Sequence, residues 1–113
     1  MYALDVEQPP KQNSSTTIGL FSINAEETEV TKDGHVLELT AKEVGLMACF
    51  MRNPNRILSK ETLFQVVWGE DFYGADNTLM VHIRRLREKI EETPSNPQYI
   101  TTVKGLGYRF HGK

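Results

Sequence analysis

The chain has 113 residues, enough for one domain with a modest core. Hydrophobic residues make up 39% and charged residues 25%, as in an ordinary globular protein; the longest apolar run, residues 46–51, is far below the roughly 18 residues of a membrane helix, and the N-terminus shows no secretion signal. The formal net charge is −2, yet residues 77–113 carry seven basic and three acidic side chains while residues 1–76 carry six and twelve, an asymmetry that predicts a polyanion-binding end on an otherwise acidic body.

Residues 1–17, "MYALDVEQPPKQNSSTT", read as an interdomain linker or an appended tail: they are polar, hold a Pro-Pro pair and end in a Ser/Thr cluster. Residues 18–113 form the domain. "IGLFSI" (18–23), "TEVTK" (28–32) and "HVLEL" (35–39) are strand-like, and Asp33-Gly34 is a hairpin signal, so this region predicts a small antiparallel sheet. Thr40 and Glu43 then make a capping-box pattern. Val44, Met47 and Phe50, with Leu46 and Met51 beside them, recur at helical spacing until Asn53-Pro54 stops the run. Gly45 marks close packing. Cys49, the single cysteine, sits within that apolar run and reads as a buried side chain; a reducing cytoplasm fits such usage.

A second helix follows Ser59 as N-cap, with Leu63, Val66 and Val67 as its inward stripe and Gly69 as its stop. Only "NPNRIL" separates the two helices, a tight connection of helix-turn-helix type. After the loop "GEDFYGAD" (69–76), Asp76 or Asn77 can cap a third helix, about 77–92, that ends before Pro94. Residues 99–103 and 108–111 are β-rich around Gly105 and Gly107, which predicts a hairpin over about 99–111.

The third helix carries the functional signal. At about 100° per residue, Ile83, Leu86 and Ile90 fall within about 40° of Leu79, a narrow aliphatic stripe that should bury. Thr78, Val81, His82, Arg85 and Lys89 group away from it, and Arg84 and Arg87 flank that face. Such a helix suits a DNA major groove, where arginine bonds guanine bidentately and valine touches a thymine methyl; flanking arginines reach phosphates. Trp68, at the end of the second helix, is either core or a phosphate contact through its indole N–H.

No paired-carboxylate motif, nucleophile with a base, phosphate loop or Cys/His set at ligand spacing is present in the sequence, so neither an enzyme, a cofactor nor a metal is expected. A winged-helix protein-interaction module, drawing on Phe72 and Tyr73, is the alternative to DNA binding. The DNA-binding head of a membrane-anchored one-component regulator is another.

The segments "LTAKEVGLMACF", "ILSKETLFQVVWG", "NTLMVHIRRLREKIE" and "YITTVKGLGYRF" resemble the C-terminal DNA-binding effector domain of OmpR/PhoB-type two-component response regulators, over roughly residues 18–111. The resemblance implies an α+β winged helix-turn-helix: an N-terminal antiparallel four-stranded sheet, three helices and a C-terminal β-hairpin wing. It implies Trp68, Thr78, Val81, His82, Arg84, Arg85, Arg87, Thr102, Lys104 and Tyr108 as DNA-binding residues, the third helix in the major groove and the wing near the minor groove. Glu70, Asp71, Phe72 and Tyr73 correspond to the loop through which such regulators touch RNA polymerase. The implied partners are promoter DNA in direct repeats, RNA polymerase, an upstream receiver domain and its sensor kinase. The isolated domain should be a cytoplasmic monomer with no membrane association. Asn77 and Lys104 stand where some members carry arginine, which puts one phosphate contact and a shaped minor-groove reader in doubt. The phosphorylated aspartate of such regulators belongs to the receiver, so no aspartate here is that site.

Overall fold

The computed structural model describes residues 15–112. Four short strands come first: β1 (Thr16–Ile18), β2 (Phe21–Ile23), β3 (Val30–Lys32) and β4 (His35–Val36), an antiparallel sheet in that order. The piece expected as one strand over 18–23 is two, because the chain reverses at Gly19, whose φ of 59° suits glycine. β1 takes in Thr16 and Thr17, which the sequence reading assigns to the linker; residues 1–14 of that stretch lie outside the described residues. Asp33 and Gly34 have φ of 53° and 81°, the paired left-handed conformation that lets a two-residue turn follow the strand twist. Phe21, Ile23 and Val30 are buried while Ser22 and Thr31 are not, so one face of the sheet packs on the helices.

Helix α1 (Ala41–Arg52) begins at the predicted capping box: the Thr40 Oγ1 accepts from the Glu43 amide at 3.3 Å, and the Glu43 Oε1 accepts from the Thr40 amide at 2.8 Å. Val44, Leu46, Met47, Ala48, Cys49, Phe50 and Met51 are all buried, so α1 is the central helix rather than a surface one. A Cβ on Gly45 would lie 3.1 Å from Val67 Cγ1, which confirms a close approach to the next helix. That helix, α2 (Lys60–Trp68), starts at Ser59, whose Oγ accepts from the Thr62 amide at 3.1 Å, and stops at Gly69 in the left-handed conformation. Its buried side chains are Leu63 and Phe64; Val66 is 54% exposed. Of the expected stripe, Leu63 is buried and Val67 packs partly buried against the core, while Val66 faces out and Phe64 takes an inward place, drawn into contacts with Trp68 and Phe72.

Helix α3 (Asp76–Ile90) is capped by Ala75 with no side-chain hydrogen bond, not by Asp76 or Asn77. Asp76 is instead the first helical residue, where its charge suits the helix N-terminus, and it pairs with Lys60 at 3.2 Å. At the other end the helix stops at Glu91, which is extended. β6 (Ile100–Val103) and β7 (Gly107–Phe110) form the predicted hairpin. The connection between α1 and α2 holds a strand of its own, β5 (Ile57–Leu58), which pairs with β7 and completes a three-stranded sheet in the order β5-β7-β6. Phe21 joins the two sheets through edge contacts with Tyr99 at 5.0 Å and Phe110 at 5.7 Å.

Gly107 makes the β5–β7 pairing possible. Its φ is 145°, and a Cβ there would fall inside the Leu58 carbonyl. Gly107→Ala should therefore destabilise the domain by about 3 kcal/mol or more, while Gly105→Ala, which has open space but a φ of 79°, should cost roughly 1–2 kcal/mol. Thermal melts of the two variants check the order.

Candidate nucleic-acid interface

On α3, Leu79, Ile83, Leu86 and Ile90 are each at most 1% exposed. The ridge is buried, and the outward side is left to Val81, Arg84 and Arg85, all exposed. Neither arginine makes an ion pair among the described residues. Thr78 is exposed at the first turn, with Met80 at 52% exposure beside it.

His82 and Arg87 lie on the two flanks of the ridge and are half-buried. The His82 Nδ1–H donates to the Thr78 carbonyl at 2.8 Å, which fixes the neutral tautomer and leaves Nε2 for an outside partner. The His82 ring stands edge-on to Trp68 at 4.9 Å. Trp68 is half-buried, stacked on Phe64 at 4.7 Å, and its indole N–H has no acceptor among the described residues. The Lys42 ammonium lies 5.3 Å from the Trp68 ring centroid and donates to the Val67 carbonyl at 3.4 Å. Lys42 adds a positive charge here that the sequence reading missed, because its place beside Trp68 depends on how α1 crosses α2.

Arg87 is engaged within the fold. Its Nε donates to the Ile100 carbonyl at 2.9 Å, a terminal nitrogen donates to Thr102 Oγ1 at 2.9 Å, and the guanidinium lies 5.6 Å from the Tyr108 ring centroid. Desolvation lowers its pKa, opposed by Tyr108 and Glu91. Tyr108 is 5% exposed and forms the floor between α3 and the hairpin. Thr102 and Lys104 are exposed. Lys89, grouped with the basic face by the helical wheel, pairs with the buried Glu43 at 2.6 Å instead.

Between α3 and the hairpin runs an open groove of about 670 Å³, lined among others by Val81, Arg84, Arg87, Thr102, Lys104 and Lys60. One rim is a helix, the other a β-turn, and both carry positive charge. In the loop 69–75, Glu70, Asp71 and Tyr73 are exposed, Tyr73 at 90%. Phe72 is half-buried against Phe64 at 5.7 Å, so of the two loop aromatics only Tyr73 stands fully outward.

A recognition helix following α2, held beside a β-hairpin, defines a winged helix-turn-helix domain. The family of transcriptional regulatory proteins, C-terminal domain, matches residues 34–110. The chain belongs to that family: it is a DNA-binding domain of the OmpR/PhoB response-regulator type. The transcriptional regulatory protein YvrH of Bacillus subtilis is 46% identical over 98 residues, covering 87% of this chain and 41% of that protein. SphR of Synechococcus elongatus, an alkaline phosphatase synthesis transcriptional regulatory protein, is 51% identical over 84 residues, 74% of this chain and 33% of that one. This chain thus spans less than half the length of these relatives. The DNA-binding domain of CpxR from E. coli is 27% identical with a TM-score of 0.75, covering 86% of this chain and 95% of that one. The Klebsiella pneumoniae RstA DNA-binding domain, solved in complex with the RstA box, shares the fold at a TM-score of 0.78 and 24% identity, covering 86% and 96% of the two chains.

The Glu43–Lys89 pair ties α3 to α1. Burial raises the Glu43 pKa, but hydrogen bonds from Lys89 and the Thr40 amide outweigh it and hold the carboxyl below its ordinary value. A lowered carboxyl contributes stability above its unfolded pKa, near 4.3, and loses it as pH falls through the folded value. Glu43→Gln should cost about 1–2 kcal/mol at pH 6, less than for a fully buried pair because Lys89 stays partly solvated. In denaturant titrations at stepped pH, that gap should close as pH drops below about 4.3.

Proposed function

We propose that this domain reads promoter DNA with α3 in the major groove and the β6–β7 wing at the adjacent minor groove, as the output domain of a two-component response regulator. The observation that carries the reading is the anchored α3, with Val81, Arg84 and Arg85 facing outward and no carboxylate among the described residues holding the arginines. Arg85 and Val81 are the base-reading pair in this proposal, through guanine and a thymine methyl. Thr78, Arg84 and the Trp68 indole N–H would meet phosphates; His82 Nε2, an acceptor while Nδ1 donates within the helix, would instead meet an amino group on a base edge, and Lys104 would approach the minor groove from the wing turn. Arg87 and Tyr108 also brace this surface from within, and Thr102 stays exposed beside them in the groove; all three remain proposed contacts.

The segment before β1, residues 1–15, would connect the domain to an upstream receiver that a sensor kinase phosphorylates. The exposed Glu70, Asp71 and Tyr73 are the proposed contact for RNA polymerase. Two copies would sit on direct repeats, and the isolated domain would be a cytoplasmic monomer; gel filtration without DNA should show a single-copy species.

Selection of bound sites from a random duplex pool tests the reading, and should return one preferred sequence. On that site, Arg85→Ala should cost about 1–3 kcal/mol and relax preference at one base pair, while Lys104→Ala should weaken binding to all sequences alike. The apparent affinity should fall linearly on a logarithmic salt axis, through release of counterions. A chain that binds no duplex at low salt, or whose Arg85→Ala variant binds and discriminates as before, would not be reading DNA with this face.

A further inference from the structure

Glu91 is a buried carboxylate at a costly place. It lies at the C-terminus of α3, where the helix dipole disfavours a negative charge. It is 7% exposed and has no ion-pair partner among the described residues. What holds it are three successive backbone amides: Gln98 N–H donates to it at 2.6 Å, Tyr99 N–H to both oxygens at 3.1 and 3.0 Å, and Ile100 N–H at 2.9 Å. These amides lead directly into β6, the first strand of the wing. A turn earlier on the same helix face, Arg87 grips the Ile100 carbonyl and Thr102. Side chains four residues apart on α3 therefore clasp one short segment, residues 98–102, through its amides and through a carbonyl and a hydroxyl respectively.

From this geometry we infer that Glu91, acting with Arg87, is a positioning residue for the wing: the clasp sets the distance between the helix that enters one groove and the turn that reaches the next. The other polar tie between this end of α3 and the clasped segment, among the described residues, is a long one: Tyr99 Oη donates to the exposed Glu92 carboxylate at 3.4 Å. Without the clasp, β6 would still pair with β7, but the Lys104 turn would no longer be held at a fixed reach from Arg84 and Arg85. The inference rests on the DNA-reading surface proposed above. It adds that groove-to-groove spacing is built into α3 by residues that need not touch DNA.

A double-mutant cycle tests it, using the chain with Glu91→Gln, Lys104→Ala and both, on a duplex selected by the unmutated chain. Glutamine keeps the shape but turns an amide group toward donors. Glu91→Gln alone should weaken binding about tenfold, yet by less than about twofold when Lys104→Ala is already present, because a misplaced wing has little left to lose. Hydrogen exchange at Gln98, Tyr99 and Ile100 should quicken while the amides of Leu79–Ile90 keep their protection. A role confined to stability would lower the melting temperature and leave the cycle additive. If Glu91→Gln does not fold, Glu91→Asp takes its place: it keeps the charge but shortens the reach, and should still weaken binding through the same coupling. Equal costs in both Lys104 backgrounds, or unaltered affinity for the folded variant, overturn the inference alone. If Lys104→Ala by itself leaves affinity unchanged, the wing makes no contact, and the reading of the surface falls with the inference.

Discussion

Burial of Leu79, Ile83, Leu86 and Ile90 decides which side of α3 the solvent, and any ligand, can meet. At roughly 1.5–3 kcal/mol for each fully buried aliphatic side chain, the ridge contributes on the order of 6–12 kcal/mol, an upper figure because unfolded chains already hide some of this surface. Against it stands the crowding of Arg84, Arg85 and Arg87. Two unit charges about 6 Å apart in water repel by only about 0.7 kcal/mol. The apolar term wins by a wide margin, so a helix dense in positive charge can be held in one rotational setting with Arg84 and Arg85 outward.

A buried ridge fixes rotation about the helix axis; polar ties at both ends fix the tilt. Near the N-terminus, Asp76 meets Lys60 of α2, and His82 is braced against Trp68. At the C-terminus, Lys89 meets Glu43 of α1. The Lys32 ammonium, from the N-terminal sheet, donates to the Ile90 carbonyl at 2.7 Å and to Glu92 at 2.8 Å. The last carbonyls of a helix lack intrahelical donors, so a lysine from β3 completes α3 at its end. Every layer of the domain thus sends at least one side chain to the same helix.

What the sequence made legible was local. The capping box of α1, the Ser59 cap, the Gly69 stop, the Asp33-Gly34 turn and the aliphatic ridge each depend on residues within one or two turns of each other, so spacing alone reveals them. What it hid depends on partners far along the chain. Nothing in "NPNRIL" announces that Ile57 and Leu58 will pair with β7. The helical wheel places Lys89 among outward charges because Glu43, its partner, lies 46 residues earlier. Arg87 likewise belongs to a basic run in sequence and to the wing's anchorage in space. Phe64, rather than Val66, turns inward because Trp68 and Phe72 complete an aromatic cluster that no single helix period describes. Of the proposed contact residues, those that face freely outward were recognisable from the wheel, while the supporting ones were not separable from them.

The pattern of pairing explains how an acidic chain can present a basic surface. Among the described residues, Lys32, Arg52, Lys60 and Lys89 each have a carboxylate within salt-bridge distance. Those without one are Lys42 beside Trp68, Arg84, Arg85 and Arg87 on α3, and Arg56, Lys104 and Arg109 on or next to the wing sheet. Paired charges largely cancel beyond the Debye length, about 8 Å at physiological ionic strength; unpaired ones do not cancel at contact range. The net charge of −2 therefore says little about the face a polyanion meets. The excess acidic residues elsewhere disfavour approach of a polyanion on other sides.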